Sequence, residues 1–202
     1  MASYDHLHDD CSNSRHSVGT SNQSPLPRSP QAFRSRTARD LWCVLSVNPD
    51  VASLIRNRLS LPTQGAPHTP DFAMVDIEGN SWLLDAPDRA PQVDQAALQL
   101  SAGEVDHRYR LVGHAEIYDG FLLQNARDLV RYQGHRVPLG DRVRLLACLD
   151  EHGSLTLSEC LQVIRETQPV AAVASLILQR LLVVELDSAL IGPETLVRRI
   201  RT

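Results

Sequence analysis

The stretch from Thr69 to Asp85 constrains the fold of this chain most, because it has the pattern of a β-hairpin. An apolar run, Phe72 to Val75, is followed by the turn residues Gly79-Asn80 and by a second apolar run, Ser81 to Leu84. Two such runs joined by a short glycine-containing segment are a strong local signal for antiparallel pairing. The sequence therefore predicts two paired strands here.

A carboxylate stands at the open end of each predicted strand. Asp71 precedes the first strand and Asp85 ends the second. Because antiparallel strands run in opposite directions, we expect both carboxylates at one edge of the sheet. Carboxylate oxygens are ligands that Mg²⁺ prefers, which makes the pair a candidate metal site. The alternative is structural: Asp71 satisfies backbone donors after Pro70, and Asp85 starts the turn at Pro87.

The sequence TPDFAMVDIEGNSWLLDAP resembles the core of the restriction-endonuclease-like nucleases, and in particular the TnsA-type endonuclease subunit of heteromeric transposases. In that family Pro-Asp opens a strand, and a hairpin leads to an acidic-x-Lys triplet. A helix that carries a Glu precedes them, followed by Asp-Pro-x-Val. The segments Ala38 to Leu45 and Asn48 to Val51 fit this frame. The resemblance covers most of residues 37 to 202.

The resemblance implies that the two hairpin carboxylates are the remnant of a catalytic, Mg²⁺-binding site for DNA cleavage. The sequence departs from the family where the chemistry is most demanding. The helix Glu falls on Ala38, and Pro87 stands where the triplet has Lys. No lysine occurs anywhere in the chain, and proline supplies neither a charge nor a donor. Asp40 and Arg89 are the candidate substitutes, so we expect a degenerate site with weak or lost nuclease activity.

Composition limits the classes of partner and compartment. The 202 residues carry a net charge of -4, and all twenty basic residues are arginine, so no overall basic field draws the protein onto nucleic acid. The four cysteines show no C-x-x-C spacing and are expected as reduced, mostly buried residues. The sequence has neither a signal-peptide pattern nor a membrane-spanning apolar run. We expect a soluble cytoplasmic protein without a membrane partner.

The chain is predicted to have three regions. Residues 1–35 are polar and expected to be a disordered tail. Its histidines, aspartates and Cys11 are assigned no metal site, because ordering a flexible tail costs entropy. Residues 36–118 are predicted to form a restriction-endonuclease-like α/β domain with a mixed sheet, and residues 119–202 a helical winged-helix domain.

Within the α/β region, the order of predicted elements is helix, strand, hairpin, helix, strand, which is typical of a sheet with a crossover helix. The predicted elements are a helix capped by Thr37, a strand within Val51 to Leu61, the hairpin, a helix over Val93 to Leu100 that ends at Gly103, and a strand over Arg108 to Val112.

The C-terminal region begins with a helix that starts at Gly120 and ends near Gly134. Three helices and two β-prone segments follow, and this order is typical of a winged helix-turn-helix. The three helices are predicted over Leu139 to Leu149, over Cys160 to Arg165 with Thr156 or Ser158 as cap, and over Val170 to Leu181 after Pro169; the β-prone segments are Val183 to Leu186 and Leu190-Ile191, with Thr195 to Ile200 last.

The third of these helices is too apolar to read bases, since a recognition helix needs polar and basic side chains. Partner docking is therefore favoured over sequence-specific DNA recognition. Five arginines of this region are equally consistent with phosphate contacts and with an ordinary solvated surface; they are Arg142, Arg144, Arg198, Arg199 and Arg201.

Three functions follow as hypotheses. The first is a TnsA-like transposase subunit that binds DNA, the transposase and an ATPase subunit, with weak or no cleavage. The second is an active Mg²⁺-dependent endonuclease that makes 5′-end cuts at transposon ends, with Asp40, Asp71 and Asp85 as ligands and Arg89 in place of lysine. The third is a regulatory protein that dimerises through its winged helix.

Overall fold

The computed structural model of the protein describes residues 33–92 and 94–200. The predictions for residues 1–32, Val93 and Arg201 fall outside this part of the chain. The helices are α1 (Arg36–Val47), α2 (Gln95–Gly103), α3 (His114–Tyr118), α4 (Leu122–Val130), α5 (Leu139–His152), α6 (Leu157–Val163) and α7 (Pro169–Leu178), with a 3-10 helix over Pro87–Gln92. The strands are β1 (Val51–Arg56), β2 (Phe72–Asp76), β3 (Ser81–Asp85), β4 (Arg108–Leu111), β5 (Ser154–Thr156), β6 (Leu182–Val184) and β7 (Leu196–Arg199).

The first four strands form a mixed sheet in the order β1-β2-β3-β4. The β1-β2 and β2-β3 pairs are antiparallel, and β4 is parallel to β3. A parallel pair requires a crossover connection, and α2 supplies it. The structure therefore confirms the α/β class and the mixed sheet that the sequence predicts.

The predicted hairpin is present, and a side chain sets its turn. Asp76 Oδ1 accepts hydrogen bonds from the backbone N–H groups of Glu78 and Asn80, at 3.1 and 2.8 Å. Its Oδ2 accepts one from Trp82 Nε1 at 2.9 Å. Gly79 has a φ of +88°, which L-residues with a Cβ rarely adopt. The Gly-Asn signal therefore works together with the preceding aspartate.

The alternation of side chains along the hairpin buries both faces of the sheet. Phe72 pairs with Leu84, and both pack in the cluster that includes Leu41 and Trp42 of α1. Leu83, one residue away, belongs to a second cluster on α2. Because successive strand residues point to opposite faces, α1 and α2 cover the two sides of the sheet.

The C-terminal region has the order α5-β5-α6-α7-β6-β7, with a three-stranded sheet ordered β5-β7-β6. Thr156 caps α6, since its hydroxyl accepts from Glu159 N and the Glu159 side chain accepts in return from Thr156 N. Residues Ala171 to Leu178 of α7 are all buried. The third helix therefore packs in the core, as its apolar sequence predicts.

Helix α1 joins the two regions by packing on both. Its Cys43 and Val47 belong to the C-terminal core, whereas its Leu41 and Trp42 lie against the sheet. None of the helices in residues 33–92 and 94–200 is long and apolar enough to cross a bilayer.

Several predicted boundaries are wrong for local reasons. Ser35, not Thr37, caps α1, because the Ser35 hydroxyl accepts from Ala38 N at 3.0 Å. Phe33, ahead of the helix, packs against α1. The five-residue helix α3 was not predicted, and Leu190-Ile191 lies in the β6–β7 loop.

Candidate functional site

The two hairpin carboxylates lie side by side at one edge of the mixed sheet, as predicted. Asp71 N donates to Asp85 Oδ1 at 3.0 Å, and Ala86 N donates to Asp71 Oδ2 at 3.0 Å. Both side chains are buried, with exposed fractions of 4% for Asp71 and 0% for Asp85. The backbone of each strand end thus binds the carboxylate of the other.

Asp71 is paired with two arginines. Arg34, just before α1, donates through Nε to Oδ1 at 2.8 Å and through Nη2 to Oδ2 at 3.0 Å. Arg89 Nη2, from the 3-10 helix, lies 3.5 Å from Oδ1. The bidentate Arg34 contact is the stronger of the two, because charge-assisted forks are short and aligned.

Asp85 is bound on its other oxygen by two ring side chains. His68 Nε2 lies 2.5 Å from Asp85 Oδ2, and the Tyr109 hydroxyl donates to the same oxygen at 2.9 Å. Burial, and next the charge of Asp85, raise the pKa of Tyr109 well above its ordinary value. Tyr109 therefore stays a protonated donor to Asp85.

A third carboxylate, Asp88, closes the cluster from the 3-10 helix. Arg34 Nη1 donates to Asp88 Oδ2 at 2.9 Å, and Arg34 Nη2 donates to Oδ1 at 2.7 Å. Partial burial alone would raise the pKa of Asp88, but the hydrogen bonds from Arg34 and neighbouring donors hold it below its ordinary value. Hydrogen bonding to Asp71 raises the pKa of Arg34 further above its already high value. The Arg34 guanidinium thus bridges the carboxylates of Asp71 and Asp88.

The two predicted substitutes end in different places. Arg89 lies at the cluster, with Nε 3.8 Å from Asp85 Oδ1. Asp40 is buried in α1 and accepts from Arg127 Nη2 at 2.7 Å and from the Tyr118 hydroxyl at 3.1 Å. These partners come from α4 and α3, so the Asp40 carboxylate is a link between helices and is not joined to the Asp71–Asp85 pair by any of these bonds.

The residues present do not fit a Mg²⁺ ion in this arrangement. Both oxygens of Asp71 accept from Arg34, and both oxygens of Asp85 accept from the protein. In residues 33–92 and 94–200, no three His, Cys, Asp or Glu side chains converge as metal ligands. A divalent ion requires several free oxygen ligands, which the bound guanidinium takes instead.

The arginines of the C-terminal region are mostly engaged inside the protein. Arg142 donates to Gln179 at 2.9 Å, Arg144 pairs with Asp141 and Glu166, and Arg199 pairs with Asp150. Asp141 is buried, and its carboxylate also accepts from two backbone N–H groups, those of Arg165 and Glu166. These contacts favour the solvated or structural alternative over phosphate binding for these arginines.

An open apolar groove lies beside α7 in the same region. Its volume is about 390 Å³. Leu129 of α4, Val173 and Ile177 of α7, and Leu190 and Ile191 of the β6–β7 loop line it. Leu190 is 47% exposed. This groove is an open apolar surface, whereas the rest of α7 is buried.

Sequence reasoning missed Arg34, His68, Tyr109 and Asp88 as members of the cluster. Arg34 and Asp88 are 54 positions apart, so no local spacing joins them. The one available signal was Pro-Asp in a lysine-free chain, which requires some arginine or histidine to neutralise the acids. Comparison with known proteins gives no match, either among protein-family models or among curated proteins.

Proposed function

We propose that this protein is a TnsA-like subunit of a heteromeric transposase that acts by binding and does not cut DNA efficiently. The observation that carries the proposal is the paired Asp71 and Asp85 at one sheet edge, each closed by partners from its own chain. The position of the two acids at one sheet edge supports descent from a nuclease fold. Their pairing with groups of the same chain supports loss of DNA cleavage.

The descent is supported by the connectivity around the acids. The hairpin, the crossover helix α2 and the parallel strand β4 are the order that a restriction-endonuclease-like core requires. The region from α5 to β7 has three helices and a β5-β7-β6 sheet, the arrangement of a winged helix. The two together support the proposed TnsA-type architecture.

The loss of cleavage follows from electrostatics at the acids. Metal-assisted hydrolysis needs an ion that lowers the pKa of a bound water. Here two guanidinium groups neutralise Asp71, and Pro87 removes the ammonium of the resembled motif. Nothing at the cluster is left to activate water, so the role assigned to this domain is structural and recognitional.

Partner binding is favoured over reading DNA sequence. Helix α7 is buried over Ala171 to Leu178, so it has no free face for a major groove. The groove between α4 and α7 is apolar and open, which suits a protein side chain better than a phosphate. The chain would then contact DNA mainly as part of a complex with its transposase and ATPase partners.

Co-purification tests the proposal directly. An integrase-fold transposase and an ATPase, sought among the genes adjacent to this one, are expressed with the tagged protein. We expect at least one to be retained, and gel shifts of transposon-end DNA to appear only with that partner. A Leu190→Arg variant, which puts a charge at the exposed side of the groove, should lose the partner, while the exposed control Glu151→Gln keeps it. If the wild-type protein retains no partner and gives no gel shift, the proposal is refuted.

The alternative of an active endonuclease draws on one observation, the position of Arg89 at 3.5 Å from Asp71, where it could contact a phosphate. Nicking of supercoiled plasmid with Mg²⁺ is the measurement. Nicking that disappears in Asp71→Asn and persists in Glu151→Gln would establish this alternative. Activity that is equal in both variants would come from a contaminant.

A further inference from the structure

A cavity of about 280 Å³ lies between α2 and the loop of residues 62–67. The loop is closed at its base, because the backbone groups of Leu61 and His68 pair in an isolated β-bridge with hydrogen bonds of 2.7 and 2.9 Å. The Ser101 hydroxyl of α2 donates to Pro62 O at 2.8 Å, which fixes the loop to the helix. Two segments that are anchored to each other therefore form the cavity wall.

His68 is part of this wall, and buried groups fix the orientation of its ring. Its Nε2 lies 2.5 Å from Oδ2 of the fully buried Asp85, and the Tyr109 ring packs edge-on at 6.4 Å. Because the Asp85 carboxylate accepts, Nε2 carries the proton of this contact, and Nδ1 of the neutral ring is an acceptor. Nδ1 makes no hydrogen bond within residues 33–92 and 94–200. One acceptor of the wall is thus left for an occupant.

Asp94 supplies a second acceptor at the α2 side of the cavity. Its Oδ1 caps the helix by accepting from the N–H groups of Ala96 and Ala97, at 3.1 and 3.2 Å. Its Oδ2 has no such partner in the described part of the chain. Neither arginine nor lysine is among the described residues that line the cavity, so no basic side chain of the wall neutralises this carboxylate. The cavity therefore presents a negative charge and two separate acceptors.

These acceptors determine which cation fits. A guanidinium binds best to both oxygens of one carboxylate through its planar fork, and here Oδ1 of Asp94 is already taken by the helix. An ammonium is a compact charge with three donors, which can serve two separate acceptors and a water molecule. Ala97 and Leu98 give the cavity an apolar wall for a short alkyl chain. The chain contains no lysine, so no side chain of its own supplies this group.

We propose that this cavity binds a primary alkylammonium group, with Asp94 as its counter-charge and His68 Nδ1 as a second acceptor. A free amine and a lysine side chain of another protein both carry such a group. The inference concerns binding by the protein alone, so it does not depend on the proposed role in transposition or on the co-purification result.

Titration of the full chain with n-butylamine at pH 7 tests the proposal, with the backbone amide signals of Gly65 and Ala97 in proton–nitrogen correlation NMR as the readout. We expect saturable shifts of both signals with a Kd of about 10⁻³ M. n-Butanol has the same alkyl chain without the charge, and it should bind at least about tenfold more weakly. The ring nitrogen signals of His68 should show Nδ1 as the unprotonated nitrogen and should shift when the amine binds.

Two matched pairs of variants locate the charge and the cavity. Asp94→Asn removes the charge but keeps the helix cap, since asparagine caps as well as aspartate, and it should bind the amine about fivefold more weakly. Glu104→Gln removes the same charge from the other, exposed end of α2 and should bind like the wild type. Ala97→Leu fills the cavity and should remove the saturable shifts, whereas Ala96→Leu at the exposed neighbouring position should keep them. Circular dichroism checks that each variant is folded.

The source of the ammonium is distinguished with a second probe, Nα-acetyl-lysine N-methylamide, which carries a lysine side chain between two peptide groups. Binding at least as tight as that of n-butylamine assigns the cavity to a lysine of another protein, and weaker binding assigns it to a free amine. Equal binding of n-butylamine and n-butanol overturns the proposal. So does an equal loss in Asp94→Asn and Glu104→Gln, a proton on Nδ1 of His68, or the absence of saturable shifts at Gly65 and Ala97.

Discussion

Asn125 of α4 makes a sharp test of how the C-terminal region is held together, because one buried amide ties a helix to a loop. Its Nδ2 donates to Leu186 O and to Ala189 O, both at 2.8 Å, and its Oδ1 accepts from Ile191 N at 2.9 Å. All three partners lie in the loop between β6 and β7. Asn125 is 2% exposed, so water cannot replace a lost bond.

The cost of changing this amide follows from its three bonds. Each buried hydrogen bond contributes about 1 kcal/mol net, and a buried group left without a partner costs about 1–3 kcal/mol. Asn125→Leu loses all three bonds and should lower the free energy of unfolding by about 3 kcal/mol. Asn125→Asp keeps the Ile191 bond but turns a carboxylate oxygen toward two carbonyl oxygens. At pH 7 it should cost about 3 kcal/mol as well.

The aspartate variant adds a pH dependence of known sign. Burial and the two carbonyls disfavour the charged form, so the pKa of the new carboxyl is raised in the folded state. A group whose folded pKa is raised contributes its stability below the unfolded pKa and loses it as the pH rises through the folded pKa. Below that range the protonated acid donates to one carbonyl. The deficit of Asn125→Asp should therefore shrink by about 2 kcal/mol between pH 7 and pH 4.5.

Urea unfolding followed by circular dichroism at both pH values measures this deficit. The matched control is Gln124→Glu, the same amide-to-acid change at the exposed neighbouring position of α4. It should change the free energy of unfolding by less than about 0.5 kcal/mol at either pH. An Asn125→Asp deficit below that level, or one that stays constant between the two pH values, would show that the amide does not hold the loop.

Three other changes have clear expected outcomes. Arg127→Met leaves the buried Asp40 without its ion pair and should lower the free energy of unfolding by about 2–3 kcal/mol. This loss is smaller than for a fully buried pair because the Arg127 side chain is 38% exposed. The midpoint of urea unfolding measures the loss. Burial alone would raise the pKa of Asp141, but the N–H groups of Arg165 and Glu166 and the Arg144 guanidinium hold that pKa below its ordinary value. The stability that the Asp141 carboxylate contributes is therefore present above its unfolded pKa and lost as the pH falls through its folded pKa. In an acid titration, the loss of unfolding free energy in Asp141→Asn relative to wild type should narrow below about pH 4. Burial raises the pKa of both Cys43 and Cys160 to about 11, so at pH 7.5 a thiol reagent should modify these two cysteines only after denaturant is added, as mass spectrometry of labelled peptides would show.

The sequence predicted those parts of the fold that depend on neighbouring residues. The hairpin has two short apolar runs and a turn glycine with a positive φ, and both signals are local. The cap of α6 was also predictable, since Thr156 and Glu159 form a reciprocal pair three residues apart. Helix α3 was missed because five residues give too little periodicity. The cap of α1 was misplaced because Ser35 and Thr37 are equivalent in type and differ only in the position of the first turn.

In the candidate site, too, the contacts between residues of one local pattern were predicted and the contacts between distant residues were not. The meeting of Asp71 and Asp85 follows from antiparallel geometry, which the hairpin pattern contains. The fate of Asp40 does not, because its partner Arg127 lies 87 positions away. Nor does the insertion of Arg34, 37 positions from Asp71. Which arginine of twenty meets which acid is decided by how α1, α3 and α4 pack, and no spacing in the sequence records that.

The absence of lysine restricts which cation can neutralise the buried acids. In a chain whose basic residues are all arginine, the cation that neutralises Asp71 has to be a guanidinium or an imidazolium. A lysine ammonium is a compact charge whose pKa shifts readily, so it can leave an acid free to bind something else. A guanidinium stays charged and binds two carboxylates at once through its planar fork, as Arg34 does with Asp71 and Asp88. The chemistry of arginine therefore explains why one side chain holds both acids in a closed, ion-paired arrangement.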